Sequence, residues 1–217
     1  MFTVNENSYN DCQLPNLGFF KKTFEKNQLD PVILEIEKIK NNFQSSLKFN
    51  DQLAGNIEKE FLLSQETTIF LNNLLSPYCR EYDKIYNYVS NYWRILDKDQ
   101  LIGISKAWVN FQKKYEFNPV HNHSGIYSFV IWIDIPYSIE EEKQSLSSKD
   151  SKCNFPGHFE FVYTDILGRI STFQIPADKS SNYTMLLFPS QLGHTVYPFF
   201  TSDEYRVTIS GNFNFFI

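Results

Sequence analysis

From Ile104 onward the chain breaks into short segments, β-branched or aromatic and each closed by turn-forming residues. That rhythm limits the possible folds more than any other feature. The segments are "ISKAWVNFQ", "GIYSFVIWIDIP", "HFEFVYTD", "GRISTFQIP", "YTMLLFP", "HTVYPFF" and "YRVTISGNFNFF", separated by "FNPVHN", "DILG", "ADKSSN" and "TSDE". The near-continuous apolarity of "GIYSFVIWIDIP" indicates a strand buried on both faces. About seven or eight strands that follow helices predict an α+β chain, mainly β: a β-sandwich or jelly roll with helices packed on one face. The charged, Ser-rich "SIEEEKQSLSSKDSK" reads as a surface loop between strands.

Before this region the periodicity is helical. "LDPVILEIEKIKNNFQ" offers Asp30 as N-cap, Pro31 at the first helical position, and apolar residues at Val32, Ile33, Ile36 and Ile39. A second helix is expected from Ser64, with a stripe through Ile69, Phe70, Leu74, Leu75, Tyr78, Tyr82, Ile85, Tyr86 and Val89; both stripes read as core. The 217 residues suit one domain, residues 1–100 mainly helical and 101–217 forming the sheet core.

A net charge of −5 and a pI near 5.4 give no general basic field for nucleic acid or anionic membrane. Cys12, Cys79 and Cys153 are widely spaced and odd in number, which argues against a disulfide framework or zinc knuckle and for a reducing, cytoplasmic setting. No signal-peptide pattern opens the chain, and no run approaches the roughly 18 apolar residues of a membrane span, so a soluble protein is expected.

Chemistry concentrates in "NPVHNHSG". On a strand, residues i and i+2 point the same way, so His121 and His123 can face one metal. His194, after the turn in "FPSQLGH", can supply a third imidazole. Arg206 follows twelve residues later on what should be the last major strand, with Thr208 and Ser210 on the same face. Imidazoles suit Fe(II), and three ligands leave coordination positions for a chelating co-substrate and O₂. A buried guanidinium beside a hydroxyl suits a carboxylate. Trp108 and Asn110 share a strand face that could line such a site, Asn110 either contacting a co-substrate or held by core partners; Tyr127 is a further pocket candidate. His158 fits no ligand spacing and reads as a loop or strand-edge residue, and Arg169 as a surface charge near a turn.

Two ligands ahead of one strand, a distal His and a basic residue on the final strand follow the order of a jelly-roll iron site. In "WVNFQKKYEFNPVHNHSG", "LLFPSQLGHTVYPF" and "YRVTISGNF", with weaker support from "DQLAGNIEKEFLL", the chain resembles the 2-oxoglutarate- and Fe(II)-dependent oxygenases over roughly residues 50 to 217. Within them it looks most like a prolyl-hydroxylase-like branch common in marine phages and bacteria, for which the cytoplasm would be the host's if the chain is viral. The resemblance implies a double-stranded β-helix, Fe(II) and 2-oxoglutarate as cofactors, and hydroxylation of a substrate that could be a protein side chain, nucleobase, sugar or small metabolite. It also implies His194 as distal ligand and Arg206 as the carboxylate-binding residue, helped by Thr208 or Ser210.

The family at large carries His-x-Asp or His-x-Glu, whereas residue 123 is histidine. Two registers are open: His121, His123 and His194 as ligands, or His123 first with Gly125 leaving the carboxylate position empty. Two other readings are a non-catalytic jelly-roll protein with a vestigial or structural metal site, and a three-His cupin-type dioxygenase that does not use 2-oxoglutarate.

Overall fold

The computed structural model describes residues 16–94 and 101–216; Cys12 lies outside them. In chain order the elements are β1 (Phe20–Thr23), α1 (Asp30–Asn41), β2 (Glu60–Leu62), α2 (Gln65–Tyr86), α3 (Tyr88–Trp93), β3 (Ile102–Gln112), β4 (Asn118–His121) and β5 (Tyr127–Asp134). They continue with α4 (Ile139–Lys143), β6 (Phe159–Thr164), β7 (Ile170–Ile175), β8 (Thr184–Pro189), β9 (Gly193–Val196) and β10 (Arg206–Phe215).

The strands form two antiparallel sheets, one of order β1-β8-β5-β10-β3-β2 and one of order β4-β9-β6-β7. From β3 onward the chain passes repeatedly between them. The inner faces meet in an apolar layer, with Val130, Trp132, Leu186 and Phe188 from the larger sheet against Phe159, Phe161 and Ile175 from the smaller. The larger sheet's other face carries Val109, Phe111, Ile131, Leu187 and Ile209, which pack with Val32, Ile36, Leu71, Leu75 and Tyr82 of α1 and α2. Burial on both faces is what the unbroken apolarity of β5 requires.

Several sequence expectations shift here. The segment before residue 100 is not only helical: β1 and β2 close the two edges of the larger sheet. The second helix starts at Ser64 as expected, and the Ser64 hydroxyl caps it by accepting from the Thr67 amide at 3.2 Å. The buried stripe of α2 is rotated from the expected one, through Thr67, Thr68, Leu71, Leu75, Cys79 and Tyr82, while Ile69 and Ile85 are exposed. In α1 the N-cap is Leu29, and Asp30 belongs to the first turn. Part of "FNPVHN", expected as a turn, is strand β4.

"SIEEEKQSLSSKDSK" is not all surface loop, since it holds α4 and the fully buried Glu142. That carboxylate accepts from the amides of Phe200 at 2.7 Å and Thr201 at 2.8 Å, and from the Thr201 hydroxyl. A charged residue inside the fold is tolerated because these donors replace water.

Candidate metal centre

The smaller sheet brings the histidines together by register. His121 on β4 sits opposite His194 on β9, and β9 is held on its other side by β6, with Phe161 opposite His194. His123 lies just past the end of β4, so its position owes nothing to strand alternation. Its backbone amide donates to Ser190 O at 2.8 Å, which fastens it to the "PSQL" turn ahead of His194. The ligand nitrogens of the three rings lie within 4.8 Å of one another; among the described residues no carboxylate joins them. Gly125, the carboxylate position of the other register, has φ +111°, and a Cβ there would meet Phe213 O at 2.8 Å. A side chain at 125 would therefore be strained.

Ring orientation is set locally. Nδ1 of His121 donates to Pro119 O at 2.7 Å, and Nδ1 of His194 to Leu192 O at 2.9 Å. A carbonyl only accepts, so each bond fixes the Nδ1–H tautomer and leaves Nε2 with its lone pair for a cation. Burial lowers the pKa of all three rings. His123 falls to about 4 by desolvation and the neighbouring His121, His194 to about 3 by the same causes, and His121 moves the same way through desolvation. The three imidazoles are thus neutral near pH 7, the form in which they bind metal. Phe159 stacks on His194 at 5.4 Å and 12°, Phe188 meets its edge at 5.0 Å, and Trp108 lies 6.1 Å from His123.

The rings open onto a cavity of about 660 Å³, mouth included, lined by the inner face of the larger sheet. Asn110, Thr208 and Ser210 are on its wall. Asn110 Nδ2 donates to Thr208 Oγ1 at 3.0 Å, which leaves the Thr208 hydroxyl proton available to a ligand. Tyr127 is a correction. It is buried on the helix-packed face with Tyr82 and Tyr88, at ring separations of 5.4 and 5.5 Å, and its neighbour Ser128 faces the cavity instead. Ser128 Oγ donates to Asn212 Oδ1 at 2.7 Å and lies 3.0 Å from Ser190 Oγ, tying β5 and β10 to the turn that holds His123.

Arg206 is the second surprise, since it is not on the cavity wall. Only 1% exposed, it spends all five N–H donors on neutral acceptors. Nε and Nη2 reach Gln112 Oε1 at 3.1 and 2.6 Å, Nη1 reaches Tyr137 Oη at 2.6 Å and Gly157 O at 3.1 Å, and Nη2 reaches Tyr197 O at 3.0 Å. No ion pair forms to it among the described residues. Gln112, which does line the cavity, therefore stands between the guanidinium and the open space, its amide oxygen seated in the fork.

His158 is buried and donates Nδ1 to Pro156 O at 2.9 Å, away from the cavity wall. Arg169 is exposed and pairs with Asp165 at 3.1 Å. Cys79 is buried and Cys153 exposed, both free thiols. Sequence reading passed over Gln112, Glu60, Asn118 and Ser128. Alternation from Trp108 and Asn110 would have reached Gln112, and Ser128 is the polar interruption in an apolar strand.

Residues 106–212, spanning most of β3 through β10, match the family model described as "Putative 2OG-Fe(II) oxygenase", just under half of the chain. Among solved structures, a prolyl-4-hydroxylase from Pseudomonas putida is similar at TM-score 0.55 and 9% identity, over 91% of this chain and 92% of that one. The non-heme alpha-ketoglutarate-dependent epimerase SnoN of nogalamycin biosynthesis is similar at TM-score 0.55 and 11% identity, over 90% and 77%. At these identities the likeness is one of fold. No curated protein matches by sequence.

Proposed function

We propose that this chain is an Fe(II)- and 2-oxoglutarate-dependent dioxygenase that hydroxylates a C–H bond of its substrate on a double-stranded β-helix. The observation that carries the reading is the convergence of three neutral imidazoles, from β4, from the residue two positions past it and from β9, on one cavity. Passage of the chain from sheet to sheet after β3 supports the β-helix, and the family match over these strands supports the chemistry. The stretches around the histidines and Arg206 support the phage and marine-bacterial branch, and the number and spacing of the cysteines support a cytoplasmic setting.

His121, His123 and His194 would hold the iron; with 2-oxoglutarate also bound, the pair supplies the oxidising power that turns O₂ on a C–H bond. The two Nδ1–H donations leave Nε2 of His121 and His194 as the nitrogens that would hold the metal. A ligand set without a carboxylate leaves the metal's charge unbalanced by protein, and a dianionic co-substrate balances it. Thr208 and Ser210 present hydroxyl donors for a carboxylate. Arg206, buried without a counter-ion among the described residues, would supply the charge that attracts one, and a carboxylate would reach its fork by displacing Gln112 Oε1. Trp132, Phe159 and Phe188 keep water from the reacting region.

Anaerobic addition of Fe(II) and 2-oxoglutarate to the apo protein should raise a weak visible charge-transfer band that His194→Ala abolishes. No band, together with no 2-oxoglutarate-dependent O₂ consumption or succinate formation, would sink the reading and leave a non-catalytic binding protein. The saturation of Arg206 favours one rival, a three-His dioxygenase that does not use 2-oxoglutarate. That rival predicts metal-dependent O₂ consumption indifferent to Arg206→Ala.

A further inference from the structure

Among the described residues on the cavity wall, Glu60 is the one that bears a carboxyl, and nothing in the metal chemistry uses it. β2 sets it opposite Asn110 on β3, with 1% of its surface exposed. It is not within ligand distance of the histidines, and among the described residues no cation pairs with it. Among the described residues its one side-chain hydrogen bond is a long one, 3.3 Å from Asn50 Nδ2 to Oε2.

Two amide oxygens share this wall. Asn118 Oδ1 and Asn110 Oδ1 are buried with no hydrogen-bond donor. Asn110 is 6% exposed, and its nitrogen is committed to Thr208. Gly55 brings the other two oxygens together: the point its Cβ would occupy lies 2.2 Å from Asn118 Oδ1 and 3.1 Å from Glu60 Oε1, so any larger residue would fill the place where they meet. Acceptor oxygens of Glu60, Asn110 and Asn118 thus gather on this wall, and two of them have no donor among the described residues. A buried acceptor without a donor costs stability that a ligand N–H restores. Desolvation, with the charge of Glu116 second, pushes the Glu60 carboxyl up to about 8, the state of an acid waiting for a positive partner.

We propose that Glu60, Asn118 and the Asn110 oxygen form the substrate-recognition subsite of this centre, and that the substrate offers it a cationic nitrogen, a primary ammonium or a guanidinium. The assignment of that ligand as substrate rests on the oxygenase reading; the binding preference does not. The cation would restore the carboxylate's charge and give the orphaned oxygens their N–H donors, while the histidines bind metal on their own.

The test titrates the full chain, loaded with Co(II) and 2-oxoglutarate, with n-butylammonium, n-butylguanidinium and neutral n-butanol, followed by calorimetry. The cations should bind at least about tenfold more tightly than the alcohol, Glu60→Gln should erase that preference, and Asn118→Asp should increase it. Equal binding of the alcohol, no binding of either cation, or a preference that survives Glu60→Gln overturns the subsite. Where Glu60→Gln does not fold, Asn118→Asp decides, and a preference it leaves unchanged overturns the proposal. The Co(II) absorption spectrum separates the two readings. A response to 2-oxoglutarate without cation preference removes the subsite alone, whereas cation preference with a spectrum blind to 2-oxoglutarate keeps the subsite and removes the oxygenase.

Discussion

Replacing Gln112 by Glu changes one atom of a buried fork and sets an anion where the co-substrate's carboxylate is proposed to go. Gln112 Oε1 receives Nε of Arg206 at 3.1 Å and Nη2 at 2.6 Å, with the two side chains 3% and 1% exposed. Unit charges about 4 Å apart at an effective dielectric near 20 attract by about 4 kcal/mol. Against this, Gln112 Nε2 donates to Glu116 O at 2.5 Å, and a carboxylate loses that bond and faces the carbonyl instead. The loss costs about 1–3 kcal/mol. The balance favours the new ion pair by about 1–3 kcal/mol, so 2-oxoglutarate should bind roughly ten- to a hundredfold more weakly to Gln112→Glu. Gln112→Ala empties the fork and should move the affinity the other way, at about 1–3 kcal/mol of folding stability. Anaerobic titration of the Fe(II) protein, read by the charge-transfer band, measures both. Wild-type affinity in Gln112→Glu, or weaker binding in Gln112→Ala, would show that the carboxylate does not go to Arg206.

Two further expectations concern stability. Glu142→Ala removes the acceptor of the Phe200 and Thr201 amides and should cost about 3–5 kcal/mol in denaturant unfolding. It should also weaken 2-oxoglutarate binding, because Phe199, next in the chain, stacks at 4.7 Å on the tyrosine that holds Arg206; unchanged values for both would refute the clamp. Glu60 titrates near 8 in the fold against an ordinary value of 4.5, so between those values the folded state keeps a proton that the unfolded chain has lost. Its contribution is complete below pH 4.5 and falls as pH rises, by something on the order of 2–4 kcal/mol at pH 8. Thermal unfolding of the apo protein from pH 5 to 8.5 should show that decline flattened in Glu60→Gln, and an unaltered slope would count against it.

What could be read in the sequence depended on whether a residue's neighbours are local. The strand rhythm after Ile104 and the helix start at Ser64 concern adjacent residues, and both are found in the structure. The three histidines meet because β4 and β9 pair, a contact between distant segments, yet their order along the chain was enough to group them. Tyr127 failed because an apolar strand carries no phase: with both faces buried, only Ser128 betrays which side meets the cavity. The stripe of α2 slipped for a similar reason, since buried Thr67, Thr68 and Cys79 outrank exposed Ile69 and Ile85. A run of glutamates looks solvated until the amides of residues 200 and 201 are seen to close on Glu142. Arg206 was legible as a charge on the last strand; that Gln112 fills its fork was not.

The carbonyls that orient His121 and His194 come from residues two positions back, Pro119 and Leu192. The tautomer and aim of these two rings are therefore written into a tripeptide each. A centre built this way would be modular: its walls could be recut for another substrate, by selection or by an engineer, while the aim of His121 and His194 stays where the backbone put it. Novelty in such a fold could accumulate at positions such as 60 and 118, which neither orient a histidine nor hold Thr208.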